Sequence, residues 1–443
     1  MRLAVTTLAA ALTLLSVAAC SSSGSSSSAG SSSSPGGSSS PTGINPSAST
    51  LVVGEFNPFT GPDAAFGPEM VGGCIPAIQL INAGGGVLGH KMSCVQEDTR
   101  GDPADAVPAA QKMMATETSL VGVLGPSSDE ALATVPLLNT GHVPMFVDTG
   151  QAAFDHTTNA YFWRITPADD VKGLAMALWA HQAGYTRAAA VFGNDAGAQS
   201  DVPTLASAFT KLGGTIVYNK PFALDQSSYR SEVESILAAH PQVIFTEVDP
   251  QTGATFLSEL QQLHGLLPVI GTEVSLQAPW LKAVNGAIGA GSMAKYFEGM
   301  QPYAPPSGPA WQTYNQALLA AGSQVAKPAS QWSSDPYSMT YYDAVNIMAL
   351  AMLAAKSTSP AAFNKYVITV TAPAPGKTVV TSFAAGKAAL AAGKQIQYVG
   401  AGGPIVFNQS HNSTGAFEAA RYVNGNIVLV GSVSAAQIAA ISG

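Results

Sequence analysis

Charge is scarce in this chain. Only 10% of its 443 residues are Asp, Glu, Lys or Arg, and 27 acids against 19 cations leave a formal net charge of -8. No run of Lys or Arg occurs, so the cationic stripe that nucleic acid or an anionic membrane surface requires is missing, and a nucleic-acid partner is excluded. Cysteine is scarce too. Three residues cannot build a disulfide scaffold, and two thiols without a neighbouring His fall short of the four ligands of a structural zinc site. Beyond residue 19 no stretch reaches 18 consecutive apolar residues, which removes any later spanning helix. The chain has no G-x-S-x-G, no H-E-x-x-H and no P-loop, and its seven His (90, 142, 156, 181, 240, 264 and 411) show no ligand spacing. No catalytic residue, metal or cofactor is therefore expected. What is present is apolar: 47% hydrophobic residues exclude wholesale disorder, and the length allows two to three domains.

The first 49 residues read as address and tether. Met1-Arg2 is followed by an apolar run over 3–19 that ends Val17-Ala18-Ala19-Cys20, the pattern of a secretory signal over residues 1–19. The Cys at the cleavage point resembles the lipobox of bacterial lipoproteins, which implies acylation of Cys20 and anchoring to the outer face of the cell membrane. Residues 20–49 are almost entirely Ser, Gly and Pro, the composition of a flexible linker with a reach of about 30 Å.

From residue 51 the chain alternates short apolar runs with helical stretches. Strands are expected at 51–56, 92–96, 120–124 and 143–147, with helices up to 82 and at 104–115 and 130–139 between them. After Arg164 the alternation restarts: helices at 171–183, 202–212, 229–239 and 253–264 lead to strands at 188–192, 215–218, 243–246 and 268–271. Such repetition predicts an α/β fold of two doubly wound parallel-sheet lobes. Ligands of open α/β sheets sit beyond the carboxyl ends of the strands, so the loops there carry the function. With Cys20 set aside, Cys74 on the first helix and Cys94 on the second strand form an even pair in an exported chain, and a disulfide is expected over two free buried thiols. Gly84 to Gly89 matches G-x-G-x-x-G, but it ends a helix and precedes a strand, the reverse of a dinucleotide site.

The strand-end loops are polar. Gly125-Pro126-Ser127-Ser128 offers hydroxyls and backbone N–H groups at a helix start, which suits a carboxylate or simply caps the helix. Asp148-Thr149-Gly150-Gln151 follows the next strand. In the second half Glu247-Val248-Asp249 and Thr272-Glu273 place carboxylates where an ammonium could be met. Anion donors in one half and carboxylates in the other suit a zwitterion.

Several segments taken together carry a resemblance: Phe59-Thr60-Gly61-Pro62, Ala65-Phe66-Gly67, the stretch from Ile81 to Lys91, Asp98 to Pro103, Gly125-Pro126-Ser127-Ser128, Phe162-Trp163-Arg164 and Tyr342-Asp343-Ala344-Val345. The chain resembles the leucine/isoleucine/valine-binding branch of type I periplasmic solute-binding proteins, the extracytoplasmic receptors of ABC importers. That resemblance implies two lobes joined by a three-crossing hinge, placed at 51–168 plus 296–408 and at 169–295 plus 409–443. It implies a small metabolite, an amino acid or amino-acid-like compound, held between closing lobes and delivered to permease subunits. Carried over by position, Phe66 leans on the ligand, Ser127 or Ser128 binds its carboxylate, Thr149 and Gly150 assist, and Glu273 receives the ammonium. Gln151 stands where a Thr is usual, the Asn194-Asp195-Ala196-Gly197 region replaces a Tyr-Gly, and Val248 beside Asp249 replaces an aromatic, so the second lobe's wall is altered. Two alternatives share the fold: a receptor that feeds a signalling partner, and an exported hydrolase in which His142 serves as base to Ser127 or Ser128.

Overall fold

A computed structural model describes residues 50–61, 63–304, 306–413 and 415–442. The expected signal over 1–19, the expected linker and Cys20 lie outside the described residues. β1 (Thr50–Asn57), β2 (Lys91–Asp98), β3 (Leu120–Leu124), β4 (Met145–Val147) and β5 (Phe162–Arg164) form an all-parallel sheet in the order β2-β1-β3-β4-β5. Seven of the eight residues of β1 are buried, because helices cover both faces. Leu51 and Val53 point into one core with helices Gly67–Ala83 and Pro336–Ala355, while Val52 and Phe56 point into another with helices Pro103–Thr116 and Ser128–Thr140.

The second sheet is built from β6 (Arg187–Phe192), β7 (Thr215–Asn219), β8 (Val243–Glu247), β9 (Val269–Gly271) and β10 (Phe297–Pro302). A small parallel pair, β11 (Thr378–Val380) and β12 (Ile396–Tyr398), stands apart, and the hairpin β13 (Phe417–Val423) and β14 (Asn426–Val433) completes the second sheet in antiparallel sense. Its order is β14-β13-β10-β9-β8-β6-β7. Both sheets thus share one winding, with the first strand of each flanked by the second and third. In each, the direction of winding reverses beside that first strand, and the loops leaving the two central strands open a crevice there.

The chain passes between the two cores three times: after β5, after β10 and between Phe407 and Phe417. The second crossing differs from the expected boundary. β10 is hydrogen-bonded to β9 and β13, so residues 297–302 stand in the second sheet and not in the first lobe that was expected to resume at 296. Its six residues, Phe-Glu-Gly-Met-Gln-Pro, lack clean alternation and end in proline, which hid the strand.

Two local features lock the first lobe. Cys74 and Cys94 are joined by a disulfide across 20 residues of sequence, Cα to Cα 6.3 Å, tying the first helix to β2. Gly73 lets that helix meet Pro336–Ala355 at backbone distance: a Cβ there would stand 2.6 Å from the Ser338 carbonyl oxygen and the Tyr342 nitrogen. The glycines at 84–89 form the turn between helix and β2, with positive φ at Gly85, Gly86 and Gly89. Among the described residues no helix is long and apolar enough to cross a membrane.

Candidate functional site

A cavity of about 220 Å³ lies between the two sheets and takes its walls from both. From the first come Asp63 and Phe66 after β1 and Ser127, Ser128 and Asp129 after β3; from the second come Asp195 after β6 and Val248 and Asp249 after β8. These are the loops beside the two points where the winding reverses. Of the predicted site residues, Phe66, Ser127, Ser128, Asp195, Asp249 and Glu273 border this cavity.

Their hydrogen bonds decide what each can still do. Ser127 is buried, and its hydroxyl donates to the Glu130 carboxylate at 2.9 Å, so it is consumed in starting helix Ser128–Thr140. Ser128 donates weakly to Thr149 Oγ1 at 3.3 Å and faces the cavity. Thr149, Gly150 and Gln151 are buried and are not among the residues lining the cavity. The reason is Asp169, whose carboxylate packs directly against Gly150 and whose backbone N–H donates to the Gly150 carbonyl at 2.8 Å. Gln151 holds the first crossing instead, its carbonyl accepting from Arg164 Nη2 at 2.7 Å. Asp195 and Asp249 each cap a helix with one carboxylate oxygen, Asp195 to the Ala198 N–H at 2.7 Å and Asp249 to the Gln251 N–H at 2.8 Å. The second oxygen of Asp249 is buried without a hydrogen-bond partner.

Glu273 meets an ammonium, and that ammonium is the protein's own. Lys172 Nζ lies 3.0 Å from Glu273, 3.1 Å from Asp201, 3.4 Å from Asp169 and 3.5 Å from Glu247. Burial opposes the charge on Lys172, but Asp201, Glu247, Glu273 and Asp169 outweigh it and hold the ammonium well above its ordinary range. Four carboxylates on one cation leave negative charge over, and burial pushes Glu273 up despite Lys172. Burial also raises Asp148, another cavity residue, to about 7. Asp63, at the far side, is raised to about 8, first by burial and then by the charges of Asp129, Asp195 and Glu130.

Sequence reasoning missed Lys172, Asp63, Asp129 and Asp169. The one available signal for Lys172 was a cation directly before the uncharged stretch Gly173 to Ala180 of helix Asp169–Gln182. In the 301–335 region Tyr314 is in the core and donates to the Trp332 carbonyl at 2.8 Å, while Gln331 and Trp332 border a second cavity of about 760 Å³ that shares Glu273, Gln277 and Tyr337 with the first. The lobes touch across the cleft, where the Gly197 N–H donates to Asp129 at 2.9 Å and Gln277 Nε2 to Glu69 at 2.8 Å. The serine–histidine pair of the hydrolase alternative is not assembled. His142 precedes β4, whereas Ser127 follows β3, and in a parallel sheet these are opposite edges.

Two α/β lobes with a cavity at their facing crevices define the two-lobed solute-binding class. The periplasmic binding protein family model matches residues 50–426, and the chain belongs to that family. A 108-residue stretch is 34% identical to the Leu/Ile/Val-binding protein homolog 7 of Brucella abortus, covering 24% of this chain and 26% of that protein. A 103-residue stretch is 33% identical to the Leu/Ile/Val-binding protein BraC3 of Rhizobium johnstonii, covering 23% and 28%. The chain therefore spans about a quarter of the length of the curated relatives it matches. Among solved structures, the leucine-binding protein LivK of Thermotoga maritima superposes with a TM-score of 0.69 at 17% identity, over 87% of this chain and 99% of that one. A solute-binding protein of R. palustris in complex with benzoate gives 0.69 at 17% identity, over 87% and 96%. These likenesses establish the fold.

Proposed function

We propose that the chain is an extracytoplasmic solute-binding receptor of an ABC importer, which captures a small amino-acid-like metabolite between two closing lobes. The observation that carries this reading is a cavity walled by the loops at the reversal points of both sheets, so that one ligand touches both lobes. Closure then follows from tighter binding to the closed arrangement, in which contacts such as Gly197 to Asp129 are made. A permease would read the closed shape, and acylation of Cys20 would keep the receptor at the membrane.

The relatives named for leucine, isoleucine and valine support an amino-acid-like ligand, and the neighbour bound to benzoate shows that the fold accepts others. The test is a thermal-shift screen of the full chain against amino acids, amines, amides and aromatic acids, because a ligand that binds only the native state raises its melting temperature by mass action. A shift confined to one chemical class, accompanied by compaction in small-angle scattering, is expected. Turnover of any compound in the screen would contradict the reading.

A further inference from the structure

We infer that the cleft takes a small organic dication, an amine or guanidine that keeps an amino acid's ammonium but lacks its carboxylate. This rests on the reading of the cleft as a solute site and narrows its ligand. The argument is a count of charges and of donors. The cavity wall carries eight carboxylates (63, 129, 148, 169, 195, 247, 249 and 273) and one cation, Lys172. An ammonium has three N–H donors, and four carboxylates already surround Lys172 within 3.5 Å. A ligand carboxylate would have to compete for them with the protein's own four. Of the two serines expected to bind a carboxylate, Ser127 is spent on Glu130, and Ser128, turned to Thr149 at 3.3 Å, is an uncharged donor among eight carboxylates.

At the opposite side Asp63, Asp129 and Asp195 face one another across the lobes, and among the described residues no Lys, Arg or His forms an ion pair with any of them. Glu273 Oε2 and Asp249 Oδ2, on the cavity wall, are shut from water without a hydrogen-bond partner, although a buried carboxylate oxygen needs one. A cation at each end offsets this uncompensated negative charge. A metal ion does not meet this need: among the described residues, the only set of three potential ligand groups with atoms within 4.8 Å of one another is Glu55 with the disulfide cysteines, away from the cleft.

Calorimetric titration of the full chain at pH 8 with agmatine, putrescine, arginine, leucine and benzoate tests this. Agmatine is expected to bind roughly tenfold or more tightly than arginine, which differs from it by a carboxylate, while leucine and benzoate give no heat. Asp63→Asn combined with Asp195→Asn should weaken agmatine roughly tenfold or more, and melting of the unliganded variant at or above the parent's temperature shows that it folds. Arginine binding as tightly as agmatine overturns the inference, as does leucine or benzoate binding while agmatine does not; the solute-receptor reading survives either result. Silence from all five compounds overturns the inference and leaves the solute-receptor reading to the wider thermal-shift screen.

Discussion

At the reversal point of the first sheet the chain leaves β1 and β3 through Asp63, Phe66 and Ser127–Ser128, while at the matching point of the second it leaves β6 and β8 through Asp195, Val248 and Asp249. The two lobes share one winding and bring different chemistry to it. The first is braced from within, by a disulfide and by a helix pair that meets at Gly73. The second is braced by charge, through the Lys172 cluster that also forms part of the cavity wall. A fold can be repeated while the source of rigidity and the polarity of the site are set separately in each copy.

The comparison breaks most sharply at Lys172. Lys172→Met removes the only counter-ion that Asp169, Asp201, Glu247 and Glu273 have among the described residues, and leaving buried charge unpaired costs about 3–5 kcal/mol. Urea unfolding at pH 7.5 should show that loss, and it should shrink at pH 5.5 as the carboxyls protonate; a loss under about 1 kcal/mol would mean the cluster contributes little.

The first lobe's brace is next in size. Replacing Cys74 and Cys94 together by Ala should lower stability by about 3 kcal/mol through the freed unfolded chain, and a reductant should do the same to the parent. A parent that melts at the same temperature with and without reductant would leave the cross-link no energetic role. Gly73→Ala should follow at about 1–3 kcal/mol, because the added methyl has backbone and not a flexible side-chain end to push against.

The smallest effect is one of pH. A carboxyl whose folded-state pKa lies above its unfolded value favours the folded chain at low pH, and that contribution is lost as pH rises toward the folded value. For Asp63, raised to about 8 from a usual 3.8, the window runs from about 4 to about 8. The unliganded protein should melt at a higher temperature at pH 6 than at pH 8, and Asp63→Asn should flatten the slope. A melting temperature that climbs between pH 6 and pH 8 would mean that other groups dominate.

Much of the framework was legible because parallel strands buried on both faces read as apolar runs. β3 falls on the expected 120–124, and β6, expected at 188–192, begins one residue earlier. Helix Ala196–Lys211 begins six residues before the expected 202, since its first turn is small and polar and is started by the Asp195 cap, which hydrophobic periodicity cannot register. The expected disulfide partners are joined. The site was legible as a set of loops and not as a set of contacts. Glu273 could be named from its place after β9, but its partner lies 101 residues away, and only folding shows that the partner is already in the protein. Thr149 and Gly150 were read as facing a ligand because nothing in their neighbourhood announces that Asp169 covers them.

The most direct test of the central claim, that the two reversal points form one ligand site, is backbone hydrogen exchange with and without the compound that gives the largest melting shift. The account predicts added protection at once in 63–67 and 127–131 of the first lobe and in 195–199 and 248–253 of the second. Protection confined to one lobe, or found only around the larger cavity near Gln331 and Trp332, would contradict it.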